Sequence, residues 1–232
     1  MTAENNPGTA AEARYREQRA RLLEEIRAEM RLTRSYTGRE RLSPAVEKVL
    51  MRVPRHEFVP VSERVAAYAN MPLSIGSGQT ISQPYIVALM TELLDLSPED
   101  RVLEVGTGSG YQAAVLAGLA RQVYSLEMRA ELAATARERL QRLGYDNVEV
   151  RVADGYQGWS AQAPYDAIMV TAAAPYIPEA LKEQLKTGGR MVIPVGDVWG
   201  PQRLQLVVRE EQGYDIRNVL DVAFVPLVRG AE

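Results

Sequence analysis

The sequence predicts an α/β protein in which a doubly wound, mostly parallel sheet lies behind an N-terminal helical cap and is closed by a C-terminal antiparallel hairpin. Two observations carry the prediction. From residue 100 onward short apolar runs alternate with helical stripes, the βαβα order that builds a parallel sheet covered on both faces. The last two apolar runs instead follow one another across a tight turn, as antiparallel neighbours do.

The cap comes first in the chain. Residues 12–34 interleave Arg and Glu around Tyr15, Leu22, Ile26 and Met30, one narrow apolar stripe on a charged helix docked by an edge. Ser43-Pro44 starts a second helix with Val46, Val49, Leu50 and Val53 on one face. After the loop "MPLSIGS", Ile86, Leu89, Met90 and Leu93 recur at i, i+3, i+4, i+7 as a third. Strand "RVLEV" and helix "YQAAVLAGLA" then open the core. Strand "QVYSLE" follows, with a helix whose stripe is Leu132, Ala136, Leu140 and Leu143 and whose stop is Gly144. "NVEVRV" and "YDAIMVT" are strands, "PEALKEQL" a helix and "GRMVIPV" a strand. "RLQLVVRE" and "VLDVAFVPL" flank the turn "EQGYD". The organisation expected is a single domain, 1–232, with an extension at 1–41, a cap at 42–99 and the α/β core at 100–232.

Composition narrows the function. At 232 residues, 46% hydrophobic and 25% charged, the chain can bury a substantial core. A net charge of −3 and a pI near 5.5 argue against a broad basic surface for nucleic acid. Cysteine is absent and His56 is the single histidine, which excludes disulfides, thiolate chemistry and a multi-histidine metal site. The polar opening "MTAENNPGTA" has no apolar core of a leader and no run is long enough to span a bilayer, so a cytoplasmic monomer is expected, with neither membrane nor nucleic acid as partner and no metal. His56 itself is expected at the surface.

Two stretches point to a ligand. "GQTISQPY", residues 78–85, places Ser82 and Gln83 at or just before the third helix, since Pro84 suits a first helical turn. Free N–H groups there attract carboxylates or phosphates, although an ordinary cap reads the same way. "EVGTGSG" sets Gly106, Gly108 and Gly110 between the first core strand and its helix. Tyr111 breaks the dinucleotide fingerprint and no Gly-Lys-Ser/Thr follows, so a phosphate ligand is not favoured. Glu127 ends the second strand, where it can accept from both hydroxyls of a ribose. Asp154-Gly155 follows the third, where Asp can accept from an exocyclic amine and Gly leaves room for a flat ring. Tyr156 and Trp159 either stack on that ring or pack in the core.

Together "VLEVGTGSG", the acidic end of the second strand and the terminal hairpin resemble the class I methyltransferases, which carry a Rossmann-like seven-stranded sheet. Within that class "VPRHEFVP", "GQTISQPYIVALMTELL", "DGYQGW", "PYDAIMVTAAAP", "GGRMVIPVG" and "FVPLV", in this order, resemble the protein-L-isoaspartate O-methyltransferase family from about Leu42 to Val228. That resemblance implies methyl transfer from S-adenosyl-L-methionine, with S-adenosyl-L-homocysteine as product, to the α-carboxylate of L-isoaspartyl residues in damaged proteins and peptides. The ester then collapses to a succinimide whose hydrolysis returns some aspartate. It also implies Ser82 as the active-site residue, and Thr80, Ile81, Glu104, Gly106, Thr107, Gly108, Gly110, Glu127, Met128, Asp154 and Gly155 as cofactor-binding. An already ionised carboxylate needs no general base, so the poverty in His and Cys fits. Ala69, Asn70, Met71, Ser74 and Ala223 depart from the family pattern at positions that bear on peptide affinity. A related carboxyl methyltransferase dedicated to one modified peptide, and a cofactor-binding module without turnover, remain the competing readings.

Overall fold

The computed structural model describes residues 7–197 and 200–229, with side chains from residue 11 onward; the polar opening at residues 1–6 lies outside them. Seven strands form one sheet in the order β5-β4-β3-β6-β7-β8-β9. They are β3 (Arg101–Val105), β4 (Gln122–Glu127), β5 (Val148–Val152), β6 (Tyr165–Val170), β7 (Leu185–Gly196), β8 (Gln202–Arg209) and β9 (Tyr214–Val222). β3 to β7 run parallel, and β8 and β9 are antiparallel to their neighbours.

The interior strands are apolar on both sides because both sides are covered. Alternate residues divide between two cores: Val102, Ala167, Met169 and Val192 enter one, while Leu103, Ile168, Val170, Met191 and Ile193 enter the other. Helices α3 (Pro84–Leu94), α4 (Tyr111–Ala117) and α5 (Ala130–Arg142) pack on the first core, and α6 (Glu179–Gln184) on the second through Leu181. The strand order reverses between β3 and β6, so both carboxyl ends open onto one crevice, where open α/β sheets bind ligands. Gly144, at φ +78°, ends the α5 segment as its position suggests.

On the first core lie α1 (Pro7–Thr37) and α2 (Pro44–Arg52). The charged helix buries Leu22, Leu23, Ile26 and Met30, together with Arg19 and Thr37, and half-buries Glu29 and Thr33. Ser43 caps α2, its hydroxyl accepting from Val46 N–H. No helix among the described residues is long and apolar enough to cross a membrane.

Three expectations are corrected. "MPLSIGS" is not a plain loop: β1 (Leu73–Gly76) pairs antiparallel with β2 (Gln79–Ile81) in a small separate hairpin. The last strand begins and ends earlier than its apolar run. β9 lies at the sheet edge, where polar Asp215, Arg217 and Asn218 can face water, and residues 223–227 leave it to bond Ala173, whose N–H donates to Val225 O at 2.8 Å. His56 is buried rather than exposed. It stacks on Tyr15 with ring centroids 3.7 Å apart, and its Nδ1 lies 2.8 Å from the Tyr68 hydroxyl; burial pushes its pKa below the usual histidine range. Tyr156 and Trp159 pack in the second core.

Candidate functional site

Two cavities open at the carboxyl edge of the sheet. The first lies where β3 and β4 end. Its walls come from the ends of β3 and β4, from the segment after β5 and from residues 225–228. Tight turns make it. Gly106 has φ +100°, and a Cβ there would stand 2.4 Å from the Thr171 hydroxyl. A Cβ on Gly155 would stand 2.4 Å from Val105 Cγ1, so neither position admits a side chain unless the Thr171 or Val105 side chain moves.

Glu127 stands in this cleft with both carboxylate oxygens oriented: Oε2 accepts from Gly108 N–H at 2.9 Å and Oε1 from Arg129 N–H at 3.0 Å. Thr80, Gly106, Gly108, Met128 and Gly155 also line it. The remaining predicted residues stand behind this surface. Ile81 is buried in the first core, and Gly110 precedes α4. Asp154 Oδ1 accepts from Tyr156 N–H at 2.9 Å, closing its own turn. Glu104 and Thr107 are joined beneath the glycine loop by Ser125, whose hydroxyl donates to Glu104 Oε2 and lies 2.6 Å from Thr107 Oγ1.

Glu104 is wholly buried, and its Oε1 has no partner among the described residues. Burial, reinforced by the nearby Glu127 charge and opposed by the Ser125 bond, pushes its pKa up to about 8. The folded state therefore holds a proton that the unfolded chain has released once pH exceeds the ordinary carboxyl range, and stability falls as pH rises from about 4.5 to about 8. Glu104→Gln, which cannot ionise, is expected to flatten the decline of the thermal midpoint across that window. An equal pH slope in variant and parent would disprove the assignment.

The second cavity is the roomier of the two. Ser82 and Gln83 line it, with Pro72, Tyr85, Ile86, residues 220–225 of the last strand and its extension, and Glu29 and Thr33 from α1. Thr80, Thr171 and Val225 belong to both cavities, so the two meet at that wall. Thr171 is pinned there, its hydroxyl donating to Gly106 O at 2.6 Å. The start of α3 is held by Asn70, whose Oδ1 accepts from Tyr85 N–H at 3.0 Å. Buried Arg55 holds Ser82 from behind, donating from Nη2 to its carbonyl at 2.8 Å and from Nε to Ala67 O at 2.9 Å.

Glu29, Thr33, Thr171 and Val225 were not singled out by residue. The last two sit in "PYDAIMVTAAAP" and "FVPLV", which point to them only as motifs; nothing local marks the α1 pair, because Glu29 meets Asn70 and Gln83 across 41 and 54 residues of chain.

The family model described as protein-L-isoaspartate(D-aspartate) O-methyltransferase (PCMT) matches residues 30–232. The chain belongs to the protein-L-isoaspartate O-methyltransferase family. A curated family member from Syntrophobacter fumaroxidans is 57% identical over 95% of this chain and 90% of its own length. One from Polaromonas sp. is 59% identical over 89% and 98%. Among solved structures, a protein-L-isoaspartate O-methyltransferase superposes with a TM-score of 0.77 at 29% identity, over 90% of this chain and 65% of that one. A Plasmodium falciparum structure, described as the family's enzyme in complex with S-adenosyl-L-homocysteine, gives 0.71 at 27% identity over 81% and 92%.

Proposed function

We infer that the chain is a protein-L-isoaspartate O-methyltransferase that binds S-adenosyl-L-methionine in the first cavity and presents an isoaspartyl segment through the second. The observation that carries this reading is the shared wall at Thr80, Thr171 and Val225, because methyl transfer needs donor and acceptor to meet at one point and nowhere else.

The first cavity suits the cofactor. Glu127 offers an oriented carboxylate to a ribose diol, Val105, Leu126, Ala153 and Leu227 offer apolar walls to a flat ring, and Gly155 keeps a side chain out of that space. When bound, the cofactor supplies a sulfonium-activated methyl group. The chain's task is alignment and exclusion of water, which can be worth several orders of magnitude in rate. Ser82 would donate its hydroxyl to the acceptor carboxylate, and Thr80, which lines both cavities, would lie beside the point where acceptor and cofactor meet. Among the described residues no group of three His, Cys, Asp or Glu is placed to hold a metal ion. The same reading has the enzyme acting in the cytoplasm as a monomer, without nucleic acid or membrane.

An isoaspartyl peptide is expected to accept labelled methyl far faster than its aspartyl twin. The two carry identical charge and differ only in where the backbone continues, so a shaped cavity must separate them. Equal rates would replace the repair reading with a carboxyl methyltransferase dedicated to a particular peptide, and cofactor binding without any transfer would leave only a binding module.

A further inference from the structure

Glu29 is a half-buried carboxylate in the second cavity with no countercharge among the described residues. It accepts from Asn70 Nδ2 at 2.8 Å and Gln83 Nε2 at 3.4 Å, both neutral amides. Among the described residues it joins no ion pair. Its helical neighbours at three and four residues, Glu25, Ile26, Leu32 and Thr33, bring no cation. Among the described residues no Lys, Arg or His lines the cavity, and its other acid, Asp221, is exposed and already lies 3.4 Å from Arg203 Nε. Glu29 is also held in place: Asn70 bonds it on one side and caps α3 on the other, which fixes the carboxylate relative to the helix start next to Ser82. A partly desolvated, preorganised anion of this kind attracts a cation from whatever enters.

We propose that Glu29 is a specificity-determining residue that selects isoaspartyl segments carrying a lysine or arginine beside the isoaspartate. The proposal rests on the second cavity being the acceptor site. The acceptor brings its own carboxylate into a cavity that already holds one, so a flanking cation offsets one of the two charges while a flanking acid adds a third. This gives α1 a part in substrate choice that its charged surface does not betray, and Asn70, one of the departures from the family pattern, a role in orienting it.

Three isoaspartyl peptides that differ only in Lys, Gln or Glu next to the isoaspartate test this with labelled cofactor. The parent enzyme is expected to favour the Lys peptide over the Glu peptide by about tenfold in kcat/KM, chiefly through KM, with the Gln peptide between them. The ratio should shrink at high salt and fall to about one- to threefold in Glu29→Gln. Equal use of the three peptides by the parent, or an unchanged ratio in Glu29→Gln, would overturn the assignment while leaving the methyltransferase reading intact. No methylation of any isoaspartyl peptide would overturn both.

Discussion

Ser82→Ala is expected to slow methyl transfer by about ten- to a hundredfold or more, the consequence of losing one positioned hydrogen bond to a charged group, roughly 1.5–3 kcal/mol. Affinity for S-adenosyl-L-homocysteine should change little, because Glu127 and the glycine turns lie in the other cavity. The alternative, that Ser82 merely caps a helix, predicts about 1 kcal/mol of lost stability with normal turnover. The helix start speaks against it: Gln83 is the cap residue without a side-chain bond, and Asn70 takes the Tyr85 N–H. Thermal midpoint, ligand binding and turnover measured on one preparation separate the two, and a destabilised variant with parental turnover would refute the acceptor role.

The largest effect on stability is expected at Arg55. Its guanidinium is fully buried, has no carboxylate partner among the described residues, and rests 4.9 Å from the centre of the Tyr111 ring. Burial lowers its pKa, and the contacts that hold it are two carbonyl hydrogen bonds and the Tyr111 ring. Arg55→Ala removes donors from the Ser82 and Ala67 carbonyls and leaves a buried cavity beside them, a cost of about 3–5 kcal/mol. For a domain of this size that lowers the thermal midpoint by roughly 6–20 °C. Arg55→Lys can reach only one of the two carbonyls and should recover part of the loss. A midpoint within a degree or two of the parent for Arg55→Ala would show that the buried guanidinium contributes nothing.

Much of this was legible before any coordinates. The core strands "RVLEV" and "QVYSLE" coincide with β3 and β4 because each is a short apolar run between glycine, proline or charged punctuation. The β1–β2 hairpin was not legible. Its strands have four and three residues, too few for alternation to register, and a bulge between Ser74 and Gly76 breaks what pattern exists. His56 misled because a lone histidine among charged neighbours looks exposed; it is covered by Tyr15 from a helix 41 residues earlier, a contact that periodicity cannot register. Glu29 was hidden for the same reason: a charge on the polar side of an amphipathic helix reads as solvated until another segment folds over it.

The path of residues 223–228 ties ligand binding to local opening of the fold. This stretch bonds Ala173 on both sides, through Val225 O at 2.8 Å and Leu227 N–H at 2.7 Å, and it walls both cavities. The parallel strands β3 to β6 pair without it, yet the crevice they flank has its outer side only while this stretch is docked. A ligand held there favours the docked arrangement by mass action, so detachment of this one stretch is the local unfolding that binding suppresses first.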